Sequence, residues 1–147
     1  MVVTDDADLE RATADAVTAA LSNSGQACVS LQRIYVTRGV AERFVTALAE
    51  RGASVCYGDR RKEDTIVGPL ISIDAAEKLK GSIDAAVAGG ARVLAGGEVV
   101  EGVLQPTVLT EVDESNVLVC EEAFGPVVDD LRRIFSPERA PGKGIKD

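Results

Sequence analysis

The stretch from Ser72 to Ala95 limits the fold more than any other. Ala76, Leu79, Ile83, Ala86 and Val87 recur at helical spacing between Ile73 and Ala88, so one face of that helix is apolar and has to be covered. Ser72 stands where a helix cap belongs, and Gly68-Pro69 before it breaks regular structure. Gly89-Gly90 ends the helix and Ala91 to Ala95 begins a strand. This succession of helix, glycine and strand is that of an α/β unit.

The same alternation runs through the rest of the chain. Val2-Val3-Thr4 reads as a strand end, and Asp5-Asp6 can cap a helix from about Ala7 to Leu21, whose stripe is Leu9, Ala12, Ala16 and Ala20. Arg33 to Thr37 reads as a strand. Val40, Phe44, Ala47 and Leu48 give a helix from about Val40 to Arg51, with Gly52 as its stop, and Ala53 to Tyr57 is a short strand or an extended connector. The run from Gly58 to Asp64 mixes charge signs and reads as a solvated surface loop rather than an anion site. Gly96-Gly97 lacks the lysine and following helix of a phosphate loop, so it is a hairpin or loop turn. Leu104 to Thr110 and Val117 to Cys120 complete the set as strands, with Pro106 marking an edge or a strand start. Three helices among about five strands predict a doubly wound α/β layer arrangement. The domain is expected over 1–135, and the Pro-, Gly- and charge-rich run of 136–147 is expected to be a disordered tail.

Composition narrows the function classes. The 147 residues suit one domain with a real core, and a net charge of -8 argues against a nucleic acid or an anionic membrane as partner. No run of about 18 apolar residues offers a membrane span, and the start shows no signal pattern, so a cytoplasmic setting is expected. Histidine is absent, which excludes a Cys-His or Ser-His pair and leaves a Cys/His metal site hard to assemble. The three cysteines, Cys28, Cys56 and Cys120, have no paired spacing. Cys56 and Cys120 sit among Val, Tyr and Leu at strand-like positions and read as structural.

Cys28 is different. It follows Ser22-Asn23-Ser24-Gly25-Gln26-Ala27, a polar, glycine-containing turn, and a thiol held over the N–H groups of a turn or helix start is favoured as the thiolate. The other reading of such a cysteine is a small buried hydrophobe. Further on stand Gln32-Arg33-Ile34-Tyr35-Val36, Val67-Gly68-Pro69-Leu70-Ile71-Ser72, Gln105-Pro106-Thr107-Val108-Leu109 and Glu121-Glu122-Ala123-Phe124-Gly125-Pro126-Val127. In this order, from about residue 2 to 128, the series resembles the catalytic domain of the aldehyde dehydrogenase superfamily.

The resemblance implies a layered, Rossmann-like open sheet with flanking helices, and roles for named residues. Cys28 takes the nucleophile position, forming a thiohemiacetal and then a thioester, with its own backbone N–H as an oxyanion donor. Glu122 takes the position that holds the ribose hydroxyls of NAD or NADP, and Phe124 would pack beside the nicotinamide. The plainer readings are a cap for Glu121 and Glu122 and a core residue for Phe124. Adjacent acids are poorly placed for glycosidase-like chemistry, because neighbouring side chains diverge. The continuation Cys28-Val29-Ser30-Leu31-Gln32-Arg33 resembles the branch acting on semialdehydes and short hydroxyaldehydes.

The resemblance also marks what this sequence does not contain. The family's Glu-Leu-Gly-Gly element with the general base, its dinucleotide-binding half, the asparagine of the second oxyanion donor and the oligomerisation arm have no counterpart here. These residues alone are therefore expected to hold no cofactor and not to turn over aldehydes. The alternatives are a structural or self-associating module, with a homo-oligomer expected from unpaired sheet edges, and a weak thiol-dependent esterase.

Overall fold

The computed structural model describes residues 1–131. Among them, β1 (Val2–Val3), α1 (Leu9–Leu21), β2 (Arg33–Val36), α2 (Arg38–Ala53), α3 (Ile73–Ala88), β3 (Arg92–Ala95), β4 (Val99–Val100), β5 (Val103–Leu104), β6 (Thr107–Thr110), α4 (Val117–Cys120) and β7 (Val127–Leu131) follow in order. A five-stranded sheet runs β1-β2-β7-β6-β3, and β4 pairs with β5 in a separate hairpin. The β1/β2, β2/β7 and β6/β7 pairs are parallel, and the edge strand β3 is antiparallel to β6.

Each face of the sheet carries its own core. Ile34, Val36, Val108 and Val128 pack against Ala16 and Ala20 of α1 and Phe44 and Leu48 of α2. Leu109 and Val127 turn the other way and pack with Leu79, Ile83 and Ala86 of α3. Strand side chains alternate between faces, so a parallel sheet of this kind needs helices on both sides. The layered α/β expectation therefore holds, with helices flanking a mostly parallel open sheet.

α3 spans the predicted residues, with the Ser72 hydroxyl accepting from Ala75 N–H at 3.1 Å as its cap. Ala76, Leu79, Ile83 and Ala86 are buried as expected, whereas Val87 is exposed on the helix flank. The cap of α1 is Asp8, whose side chain accepts from Arg11 N–H, and not Asp5-Asp6; Asp5 instead accepts from the Thr37 hydroxyl. Gly52 does not stop α2. The helix runs on to Ala53, and Gly52 is a point of close packing, since a β-carbon there would lie 2.8 Å from Val108 Cγ2.

Two strand expectations fail for local reasons. Leu104 to Thr110 is cut at Gln105-Pro106, because proline has no N–H to give a ladder, so β5 and β6 are separate elements. Val117–Cys120 is a helical turn, capped by the Asn116 side chain accepting from Leu118 N–H at 2.9 Å. Cys56 and Cys120 are thus neither on strands nor buried; both are exposed. Asp59 and Arg61 pair in an exposed turn, as the mixed charges of that loop led us to expect.

Sequence reading anticipated neither the two-residue β4 nor the longer β7. β7 lies at the centre of the sheet and carries Asp129 and Asp130, both buried. The expected tail of 136–147 lies outside the described residues. No helix among the described residues is long and apolar enough to cross a membrane.

Candidate active site

α1 delivers the chain to a turn with an unusual backbone. Asn23 (φ 53°, ψ 35°), Ser24 (φ 55°, ψ 30°) and Gly25 (φ 68°) are all left-handed, and only glycine adopts that region without steric cost. Gly25 is also fixed by its neighbour, because a β-carbon there would lie 2.0 Å from the Gly125 carbonyl oxygen. The Cys28 loop therefore rests on the Phe-Gly-Pro loop that leads into β7.

Polar side chains tie the turn to a second loop. Ser24 accepts from Gly68 N–H at 2.9 Å and donates to the Gly68 carbonyl at 3.2 Å. Gln26 accepts from Ile71 N–H at 2.9 Å. Next comes a tight turn closed by Ser30 N–H to the Ala27 carbonyl at 2.9 Å, with Cys28 and Val29 exposed at its tip. Ser30 Oγ and Leu31 N–H then return the chain to the Ala20 and Ala19 carbonyls at the end of α1.

Cys28 lines an open cleft of 420 Å³ together with Ser30, Gln32, Arg33 and Glu122. Its exposure removes the reading of a buried core thiol. Glu122 also lines a neighbouring cleft of 400 Å³, shared with Gln26, Leu79, Glu121, Ala123 and Phe124. Phe124 is 45% exposed with φ 44°, so it is not a core residue, and an aromatic side chain in left-handed backbone is a local strain. Glu121 closes the end of α4 through its N–H to the Val117 carbonyl, while its side chain stays exposed on the rim. All three site residues predicted from the sequence thus gather on one side of the molecule, with Glu122 between the two clefts.

Sequence reading missed Ser24, whose partner lies 44 residues on, and Arg33. Arg33 of β2 is in register with Asp129 of β7, so the two side chains share a face of the sheet. Burial pushes the Asp129 carboxyl up to about 7, with Arg33 pulling down and Asp130 adding to the rise. Asp129 Oδ2 and Arg33 Nε are both buried without a hydrogen-bond partner among the described residues.

A model described as the aldehyde dehydrogenase family matches residues 1–130. Vanillin dehydrogenase from Pseudomonas fluorescens is 42% identical over 132 residues, which is 90% of this chain and 27% of that protein. The crystal structure of lactaldehyde dehydrogenase from Escherichia coli superposes with a TM-score of 0.85 at 38% identity, covering 89% of this chain and 28% of that one. That of betaine aldehyde dehydrogenase from Staphylococcus aureus, in complex with NAD+, gives 0.83 at 33% identity, covering 89% and 27%. The chain spans just over a quarter of the length of the relatives it matches.

Proposed function

The chain belongs to the aldehyde dehydrogenase family, and on that premise we propose that it is the thiol-bearing part of the catalytic domain of an NAD(P)-dependent aldehyde dehydrogenase, with Cys28 as nucleophile. One observation carries this reading: the exposed Cys28 and the exposed Glu122 line the same cleft, on loops that touch through Gly25 and Gly125.

The chemistry follows from what these groups can do. Cys28 Sγ attacks the carbonyl carbon of an aldehyde, forming a C–S bond and a tetrahedral oxyanion, and the Cys28 backbone N–H is a donor to that oxygen. The residues fit the nicotinamide-ribose end of the cofactor: the Glu122 carboxylate can accept from two vicinal hydroxyls, and the exposed Phe124 ring offers an apolar wall beside it. When bound, NAD or NADP supplies the acceptor for the hydride that leaves the carbon attached to Cys28. The acyl thioester left on Cys28 is then released by water. Glu122 is the one carboxylate of the Cys28 cleft among the described residues, and with the ribose on it no base remains to activate that water. General acid/base assistance contributes about 10²–10⁴-fold, so these residues alone are expected not to sustain aldehyde oxidation.

A cytoplasmic setting suits three exposed, unpaired thiols. A second reading, self-association, is favoured by apolar side chains in water. Ile71 is 89% exposed, Ile73 67% and Val2 55%, and among the described residues β1 and β3 are the edges of the sheet. Light scattering that reports a clean monomer contradicts it.

The test of the main reading mixes the protein with NAD, NADP and a panel of aldehydes while following reduced cofactor, and in parallel follows hydrolysis of an activated ester. The expected result is no sustained cofactor reduction and an ester activity that is lost in Cys28→Ala. Sustained reduction overturns the need for further groups, and ester hydrolysis that survives Cys28→Ala overturns the nucleophile.

A further inference from the structure

The left-handed run Asn23-Ser24-Gly25 needs something to hold it, since two of its three residues carry a β-carbon that disfavours that backbone. The Ser24 hydroxyl supplies the hold. Ser24 is buried, and one oxygen both accepts from the Gly68 N–H at 2.9 Å and donates to the Gly68 carbonyl at 3.2 Å. An alanine would fit within the same space but make neither bond, leaving both groups of Gly68 without the Ser24 hydroxyl as partner. Gln26 reaches the same segment at Ile71, and Gly25 rests on Gly125, so the turn is held on two sides. The residue before Gly68 is tied to the neighbouring segment, as Gly58 N–H donates to the Val67 carbonyl at 2.9 Å, which anchors the loop that Ser24 grips.

We infer that Ser24 is a positioning residue for Cys28: its paired bonds to Gly68 fix the left-handed turn, and the turn fixes where the thiol stands relative to Glu122 across the cleft. This deepens the reading above, on which Cys28's role as nucleophile rests. Ser24 itself touches no reacting atom. Its effect is on placement, and a thiol displaced from the cleft loses its relation to the carboxylate opposite.

A double-mutant cycle reads that relation directly. In a Cys56→Ser/Cys120→Ser background, Cys28 is alkylated by the iodoacetate anion at low ionic strength, with and without Glu122→Gln. Removing the carboxylate across the cleft relieves repulsion of the anionic reagent, and the rate is expected to rise about two- to fivefold. The same Glu122→Gln change is then made in Ser24→Ala and in Ser24→Gly. Glycine tolerates the left-handed backbone, so the second variant keeps the fold while losing the clasp. In both, the Glu122→Gln effect is expected to vanish, and hydrogen exchange at the Gly68 amide is expected to quicken. A Glu122→Gln effect that persists in both variants overturns the proposal, as does its absence in the parent or an unchanged Gly68 amide. The cycle needs neither aldehyde nor cofactor, so failure of the dehydrogenase reading leaves its outcome untouched.

Discussion

Gly25 and Gly125 lie so close that a β-carbon on the first would sit 2.0 Å from the carbonyl oxygen of the second. A backbone carbonyl in a loop leading into the central strand cannot swing aside as a side chain does. The contact therefore joins the turn before Cys28 to the loop carrying Glu122 and Phe124.

Gly25→Ala meets both that clash and a φ of 68°. The expected loss of stability is roughly 2–5 kcal/mol, the sum of overpacking and left-handed strain. Urea denaturation measures it, and a loss within experimental error contradicts the close approach.

Gly52→Ala sets two effects against each other. Alanine raises helix propensity by about 1 kcal/mol over glycine, but its β-carbon would stand 2.8 Å from Val108 Cγ2 in the core. The steric term wins, so Gly52→Ala is expected to destabilise. Combined with Val108→Ala, which opens the space that the new methyl needs, it should cost less than the sum of the two single changes. Thermal melts of the four proteins check the sign of that coupling.

Ser72→Ala removes the side-chain acceptor for Ala75 N–H at the start of α3. The expected cost is about 1 kcal/mol. Denaturant midpoints of the two proteins compare it directly.

Asp129 makes stability depend on pH in an unusual direction. Its folded-state pKa is raised to about 7 from an ordinary 3.8, chiefly by burial, so the folded chain binds the proton more tightly than the unfolded chain. Unfolding then releases protons across that window. Stability is expected to fall as pH rises from the lower value towards the upper, by at most about 1.4 kcal/mol per pH unit, and to level off above it. In Asp129→Asn that slope should disappear. Urea midpoints at several pH values between the two limits measure it, and a wild-type profile that rises through this range contradicts the burial of the carboxyl.

The parts of the fold legible in the sequence are those fixed by local chemistry. α3 carries its own cap, apolar stripe and terminal glycines, and its bounds follow from them. Cys28, Glu122 and Phe124 stand in motifs distinctive enough to be picked out one by one. Elements decided by distant contacts were not legible. Gly52 reads as a stop signal until Val108 is seen packed on it, and Ser24 reads as a loop polar residue until Gly68 comes within reach. Val117–Cys120 has strand-forming residues, yet the Asn116 cap and the burial of Leu118 alone make it a helical turn. β7 was hidden by its own composition, because aspartates are disfavoured in strands and two of them stand at its centre.

Cys28, Cys56 and Cys120 are all exposed, so accessibility alone gives them equal claim to an acylating reagent. The most direct test of the account treats the protein with a limiting amount of an activated acyl ester, digests it and locates the acyl group by mass spectrometry. The account predicts the thioester concentrated on Cys28, and an adduct spread evenly over the three cysteines would contradict it.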